Sequence, residues 1–176
     1  MPTYVALLRG IAPTNPKMRN AELRKVFEGL SFDAVRTVIS SGNVLFDAAS
    51  RSSAGLERRI EAALEEHLGA PCSTIVRSRR RIDQLAASDV FAPYRDGPTD
   101  RCHVTFLQRD PGSTAAPSTG PGAHIVAVRG REVFSVIDST AATTPNLMAR
   151  LERTYGTEIT TRTWRTVHRI ATAFDP

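Results

Sequence analysis

Val35-Arg36-Thr37-Val38-Ile39-Ser40-Ser41-Gly42-Asn43-Val44-Leu45-Phe46 carries two β-branched, apolar runs on either side of a short polar break. Runs of this kind joined by a glycine-containing break predict a hairpin. Glycine admits the positive φ of a tight turn, and Asn bonds back to its own backbone. Working outward, residues 3 to 8 form a nearly continuous apolar strand, which predicts a central position. Between strand and hairpin, Leu23, Val26, Phe27 and Leu30 recur at helical spacing behind Asn20, predicting a helix from Asn20 to Leu30 with Asn as its cap. Beyond the hairpin, Leu56, Ile60, Leu64 and Leu68 form one stripe of a helix from Ala54 to Leu68, stopped by Gly69. Cys72 to Arg77 reads as a further strand. The order is β-α-β-β-α-β, the split arrangement of ferredoxin-like sheets.

The second half repeats this order with poorer definition. A helix near Arg80 to Ala87 and a loop with Pro93 and Pro98 lead to the strand Cys102 to Leu107. Residues 111–123 hold too much Pro and Gly for a stable helix, so a mobile loop or single helical turn is expected there. His124 to Val128 and Glu132 to Ile137 surround Arg129-Gly130-Arg131 as a second hairpin. Thr144-Pro145 opens a helix carrying Leu147, Leu151 and Tyr155, and a last helix from Thr163 to Ala173 sets Trp164, Val167, Ile170, Ala171 and Phe174 on one side. The fold class expected is α+β: two ferredoxin-like halves, residues 1–78 and 79–176, with antiparallel sheets and helices on one face of each. Packing of the two as one compact unit is the alternative.

Composition narrows the function classes. With 176 residues and 41% hydrophobic content the chain has enough apolar mass for a buried core. No apolar run approaches the roughly 20 residues that span a bilayer, and no signal-peptide pattern opens the chain. A cytoplasmic protein is expected. Cys72 and Cys102 lie in apolar, strand-like runs and read as core thiols. The net charge of +5 and pI near 9.9 invite a nucleic-acid partner. Lysine, however, occurs only at Lys17 and Lys25, and an arginine- and alanine-rich bias also follows from GC-rich coding. Aromatics are only 6% of residues. An RNA role would therefore rest on arginines rather than on base stacking.

Four groups of residues carry a resemblance. Tyr4 to Ile11, then Lys17-Met18 with Glu22-Leu23-Arg24, then Val35-Arg36-Thr37 with Ser41-Gly42-Asn43-Val44, and Thr161 to Val167 together resemble the bacterial domain-of-unknown-function family 1697 over almost the whole chain. The resemblance implies two ferredoxin-like halves and no established activity. Two positions depart from the family pattern. Ala12-Pro13-Thr14-Asn15-Pro16 replaces Asn and a pair of glycines after Arg-Gly-Ile, and Thr163 stands where Asn precedes Trp.

The chemistry on offer is that of binding. Arg9 is a permanent cation suited to carboxylate or phosphate, and it emerges just past the first strand. Gly10, Asn15 and Lys17 share its loop. Ser41, Gly42 and Asn43 occupy the hairpin turn, while Arg162 and Trp164 offer a cation and a flat ring from the last helix. Together these form the candidate site for an anionic or nucleotide-like ligand. The competing reading gives Gly42 and Asn43 to the turn, Trp164 to the core and Arg9 to loop carbonyls.

His67, His103, His124 and His168 stand on different elements, so neither a metal nor a cofactor is expected. Glu57, Glu61 and Glu65 read as the solvated face of one helix. No nucleophile and base pair stands out, so the reading leans away from an enzyme. An enzyme of unidentified chemistry and a structural or protein-interaction domain stay open beside the binding module, as does the oligomeric state.

Overall fold

Gly42 at φ +74° and the extended runs on either side of it close the hairpin that orders the first sheet. The computed structural model describes residues 1–40, 42–94, 96–141 and 146–175. The turn between β2 (Asp33–Thr37) and β3 (Asn43–Asp47) is tied by Asn43, whose Nδ2 donates to the Val38 carbonyl (3.0 Å). The strand β1 (Thr3–Leu8) lies between β3 and β4 (Thr74–Ser78), giving the antiparallel order β2-β3-β1-β4. Central placement explains its composition: Val5, Ala6 and Leu7 are fully buried, so both faces of β1 lie inside.

Two helices cover one face of this sheet. α1 (Asn20–Gly29) and α2 (Ser53–Leu68) set Leu23, Phe27, Leu56, Ile60 and Leu64 against Tyr4, Ala6, Val44, Phe46 and Val76. Phe46 stacks on Phe32 at 4.6 Å and meets Phe27 edge-on at 5.5 Å. The expected Asn20 cap is not made. Asn20 is the first residue of α1, whose cap position is Arg19 without a side-chain bond. The capping asparagine is Asn15, whose Oδ1 accepts from Lys17 N (3.0 Å) in a 3-10 turn at Pro16–Met18. Ser52 caps α2 through Gly55 N (3.1 Å).

Glu57 and Glu61 overturn the solvated-face reading. β4 is an edge strand, and its outward amides at Val76 and Thr74 donate to Glu57 Oε1 and Glu61 Oε1, each at 2.9 Å. Glu57 is 4% exposed. Carboxylates four residues apart on α2 therefore do for β4 what another strand would do.

A short helix α3 (Arg79–Ala86) follows and packs against β4 and β1. The second sheet then forms from β5 (Asp100–Leu107), β6 (Ala123–Arg129), β7 (Glu132–Asp138) and β8 (Ile159–Thr163), in the order β6-β7-β5-β8. α4 (Leu147–Tyr155) precedes β8. Its Leu147 and Leu151 pack with Leu107, Val133 and Ile159. α5 (Trp164–Ala173) ends the chain. β8 was not expected as a separate element: the strand runs straight into α5, so one helical pattern masks the junction. Residues 111–122 contain no helix, as their Pro and Gly content predicts. The Thr144-Pro145 opening expected for α4 lies outside the described residues.

The chain divides into two compact units, Met1–Ala86 with Arg169–Pro176, and Ala87–His168. The sequence boundary at 78 falls at the β4–α3 junction instead, eight residues earlier (86 − 78), because α3 stays against the strands that precede it. Each unit is α+β with a four-stranded antiparallel sheet. Their registers correspond residue by residue. Val5 stands between Leu45 and Arg77 as Val104 stands between Phe134 and Arg162. Leu8 N donates to Gly42 O (2.8 Å) as Leu107 N donates to Arg131 O (2.9 Å), and Arg9 N to Ser73 O (2.9 Å) as Gln108 N to Glu158 O (3.0 Å). Ser78 and Thr163 each cap the helix that follows, through Arg81 N (3.3 Å) and Thr166 N (3.2 Å). Aligned this way, Val5/Val104, Leu8/Leu107, Val44/Val133 and Arg77/Arg162 are identical pairs. The repeat survives in hydrogen bonds better than in sequence.

Candidate anion-binding site

Thr161 to Val167 carries part of the family resemblance and two of the candidate site residues, and strand alternation decides which of its side chains are available. Arg162 lies on β8, not on the last helix as the sequence reading had it, and faces inward. It is 9% exposed, and its Nη1 donates to Thr160 Oγ1 (2.7 Å) and Thr161 O (2.9 Å). Desolvation pushes its guanidinium pKa down to about 10. Its register equivalent Arg77 is also buried, with Nη1 on Val76 O (3.0 Å). A buried arginine at the same register position in each sheet points to architecture rather than ligand chemistry. Trp164 is half-buried, its ring edge-on to Phe91 (5.1 Å) and His168 (4.8 Å).

The neighbours Thr163 and Arg165 line a cavity of about 390 Å³ with Asp96, Arg101 and Cys102. Arg101 and Arg165 are exposed, and neither guanidinium makes an ion pair or hydrogen bond with another described residue. The Asp96 carboxylate is held by the Cys102 amide (3.1 Å). Burial, reinforced by Asp96 and Asp100, pushes the Cys102 thiol up to about 11, which leaves it a poor nucleophile.

A polar row continues from the cavity across the sheet. His103 pairs with Thr163 on β8 and with Ser135 on β7, and residues directly opposite on antiparallel strands share a face. One position along, Thr105 Oγ1 and Thr161 Oγ1 hydrogen-bond at 2.7 Å. His103 Nδ1 lies 3.0 Å from Arg101 O. A carbonyl only accepts, so Nδ1 carries the proton and Nε2 is left as an acceptor. Burial lowers the His103 pKa below its ordinary value, which keeps the ring neutral near pH 7.

The first unit treats the other expected residues differently. Arg9-Gly10-Ile11 and the Gly42 turn come together at one end of the sheet, where a Cβ on Gly42 would lie 2.6 Å from Ile11 Cγ1. Gly42 and Asn43 are therefore accounted for by the turn. Ile39, 37% exposed, holds φ +62° in the same turn, a strained angle for a β-branched residue. Arg9 is half-buried, and its carbonyl accepts from Cys72 Sγ (3.4 Å). Ser41 lies outside the described residues. Lys17 and Lys25 line a groove of about 620 Å³ between α1 and α2, beside Glu66 and His67. Lys25 is paired with Glu22 (2.8 Å) and His67 bonds the Lys17 carbonyl (3.1 Å).

Among the described residues, no three His, Cys, Asp or Glu side chains cluster as metal ligands, and no helix is long and apolar enough to cross a membrane. The residues that the sequence reading missed are Arg101, His103 and Arg165. Arg165 was hidden because β8 was not recognised, while Arg101 and His103 lie on β5 and come beside it only through the β5–β8 pairing.

The family model described as "Protein of unknown function (DUF1697)" matches residues 1–134. The chain belongs to that family. A solved structure of the conserved bacterial protein SP0830 from Streptococcus pneumoniae is similar over the whole DUF1697 chain. It is 20% identical, covers 100% of this chain and 99% of its own, and superposes with a TM-score of 0.65. That likeness shows the fold. No curated protein matches the chain. The DUF1697 match includes Arg101 and His103 but ends before Thr163 and Arg165, so the cavity joins a part of the chain inside the match to a part outside it.

Proposed function

We propose that this DUF1697 protein is a small binding module for an anionic, phosphate-bearing ligand, held in the second unit between Arg101 and Arg165. The observation that carries this reading is two arginines lining one cavity whose guanidiniums have no hydrogen-bond or ion-pair partner among the described residues, although two carboxylates lie nearby. Arginine is the side chain suited to planar, two-point recognition of phosphate or carboxylate. Thr163 adds a hydroxyl at the rim. A cytoplasmic setting fits, because both cysteines are buried free thiols. The test is calorimetric titration of the full chain with inorganic phosphate, pyrophosphate and AMP. Each charge-assisted contact contributes about 1.5–3 kcal/mol, so Arg101→Ala and Arg165→Ala should each weaken binding about tenfold or more. Both sites are exposed, so the variants should keep the parent melting temperature. Binding that is undetectable, or that survives both substitutions unchanged, rejects the reading.

A further inference from the structure

Charges of opposite sign share the cavity of the second unit without pairing. β8 pairs with β5 only as far as His103, opposite Thr163, and the chain then turns into α5. The Cys102 amide, one residue further along β5, is taken by Asp96 Oδ1 (3.1 Å) instead of by a strand. A short turn holds Asp96 in place: it forms a β-bridge with Asp100, and Gly97 N donates to Asp100 O (2.8 Å). One oxygen of the exposed Asp96 carboxylate is thus fixed on the main chain. The other has no hydrogen-bond or ion-pair partner among the described residues, although Arg101 and Arg165 line the same cavity. A carboxylate anchored there works against a plain anion, because like charges in one site repel.

We infer that the ligand is an amino-bearing phosphate ester, its phosphate held by Arg101 and Arg165 and its ammonium by Asp96. The inference rests on the anion site proposed above and adds a second, opposite pole to it. Charges match in sign and number: the described lining offers two guanidiniums for a phosphate dianion and one carboxylate for one ammonium. No aromatic side chain among the described residues lines the cavity to receive a quaternary ammonium. The fitting cation is therefore one that donates hydrogen bonds, a primary amine. The same lining leaves a nucleobase without a stacking partner. The volume of about 390 Å³ suits a compact ligand.

The experiment is calorimetric titration of the full chain with ethyl phosphate and with O-phosphoethanolamine, which differ only in the amine, repeated on Asp96→Asn. The amine should tighten binding about tenfold, the worth of one charge-assisted hydrogen bond. Asp96→Asn keeps an oxygen for the Cys102 amide and should keep the parent melting temperature. It should erase the margin that the amine gives. Because the repulsion goes with the charge, it should also bind ethyl phosphate more tightly than the parent does, whereas a merely structural Asp96 would shift both esters alike. Should the variant fold poorly, the parent decides alone: a margin near tenfold upholds the inference, and no margin overturns it. If ethyl phosphate binds through Arg101 and Arg165 but the amine adds nothing, or Asp96→Asn leaves the margin standing, the inference falls and the anion site stands. Absence of binding by either ester removes both.

Discussion

Gly42 shows how much one residue can be asked to do. Its φ of +74° was legible, because a polar break between two strand-like runs demands a left-handed residue. The approach of Ile11 to within 2.6 Å of its absent Cβ was not, since it depends on the loop after β1 folding over the turn. Two separable penalties therefore await Gly42→Ala. The left-handed angle costs about 1–2 kcal/mol for a residue with a Cβ, and overpacking against Ile11 adds about 1–3 kcal/mol. Urea unfolding should show a loss of about 2–4 kcal/mol at unchanged m-value. In the double variant with Ile11→Ala, the crowding part should vanish and appear as a coupling energy while the angular part persists. A Gly42→Ala protein within about 0.5 kcal/mol of the parent would contradict this geometry.

Among elements, the amphipathic helices and the hairpins were legible because periodicity records which face is buried. β8 was not. Ile159-Thr160-Thr161-Arg162-Thr163 is short, polar and fused to α5, and its inward residues include a buried arginine. Misplacing it put Arg162 and Trp164 in the expected site and hid Thr163 and Arg165. The role of Glu57 and Glu61 was hidden for another reason: their partners are main-chain amides, which no side-chain pattern reveals. The geometric match is close, since four residues of helix rise about 6 Å and two residues of strand span about 6.6 Å. Capped in this way, the Thr74 and Val76 amides of the edge strand are not offered to another chain. Glu57→Ala leaves the Val76 amide buried without an acceptor and should cost about 1–3 kcal/mol. Glu57→Gln keeps a carbonyl oxygen and should cost less. Amide exchange at Val76 and Thr74 should quicken in Glu57→Ala/Glu61→Ala, with a rise in light scattering as the edge opens. Unchanged protection at both amides would show that the carboxylates are not their acceptors.

At the scale of the molecule, the sequence announced two halves by element order, yet the division of the chain is not a single cut. Arg169–Pro176 belongs with the first unit. The contacts that hold it there join residues more than 90 positions apart. Arg36 Nη2 donates to the Phe174 carbonyl (3.0 Å) and Arg79 Nη1 to the same oxygen (3.4 Å). Arg79 also pairs with Asp175, and its guanidinium lies 5.8 Å from the centre of the Phe174 ring. Phe174 is 3% exposed. No local pattern predicts such a clasp, because Arg36 and Arg79 read in isolation as surface charges. Removing residues 174–176 would strip both arginines of their shared acceptor and expose the surface beneath Phe174. The loss should be about 3–5 kcal/mol, in the range for deleting a buried phenylalanine. Phe174→Ala alone should show most of it, because it removes the buried ring, and should fall short of the truncation only by the carbonyl contacts that it retains. Asp175→Ala should cost little, as expected of an exposed pair. The order truncation ≥ Phe174→Ala ≫ Asp175→Ala in urea midpoint tests the clasp. Equal losses for Asp175→Ala and Phe174→Ala would transfer the stabilisation from ring burial to the ion pair.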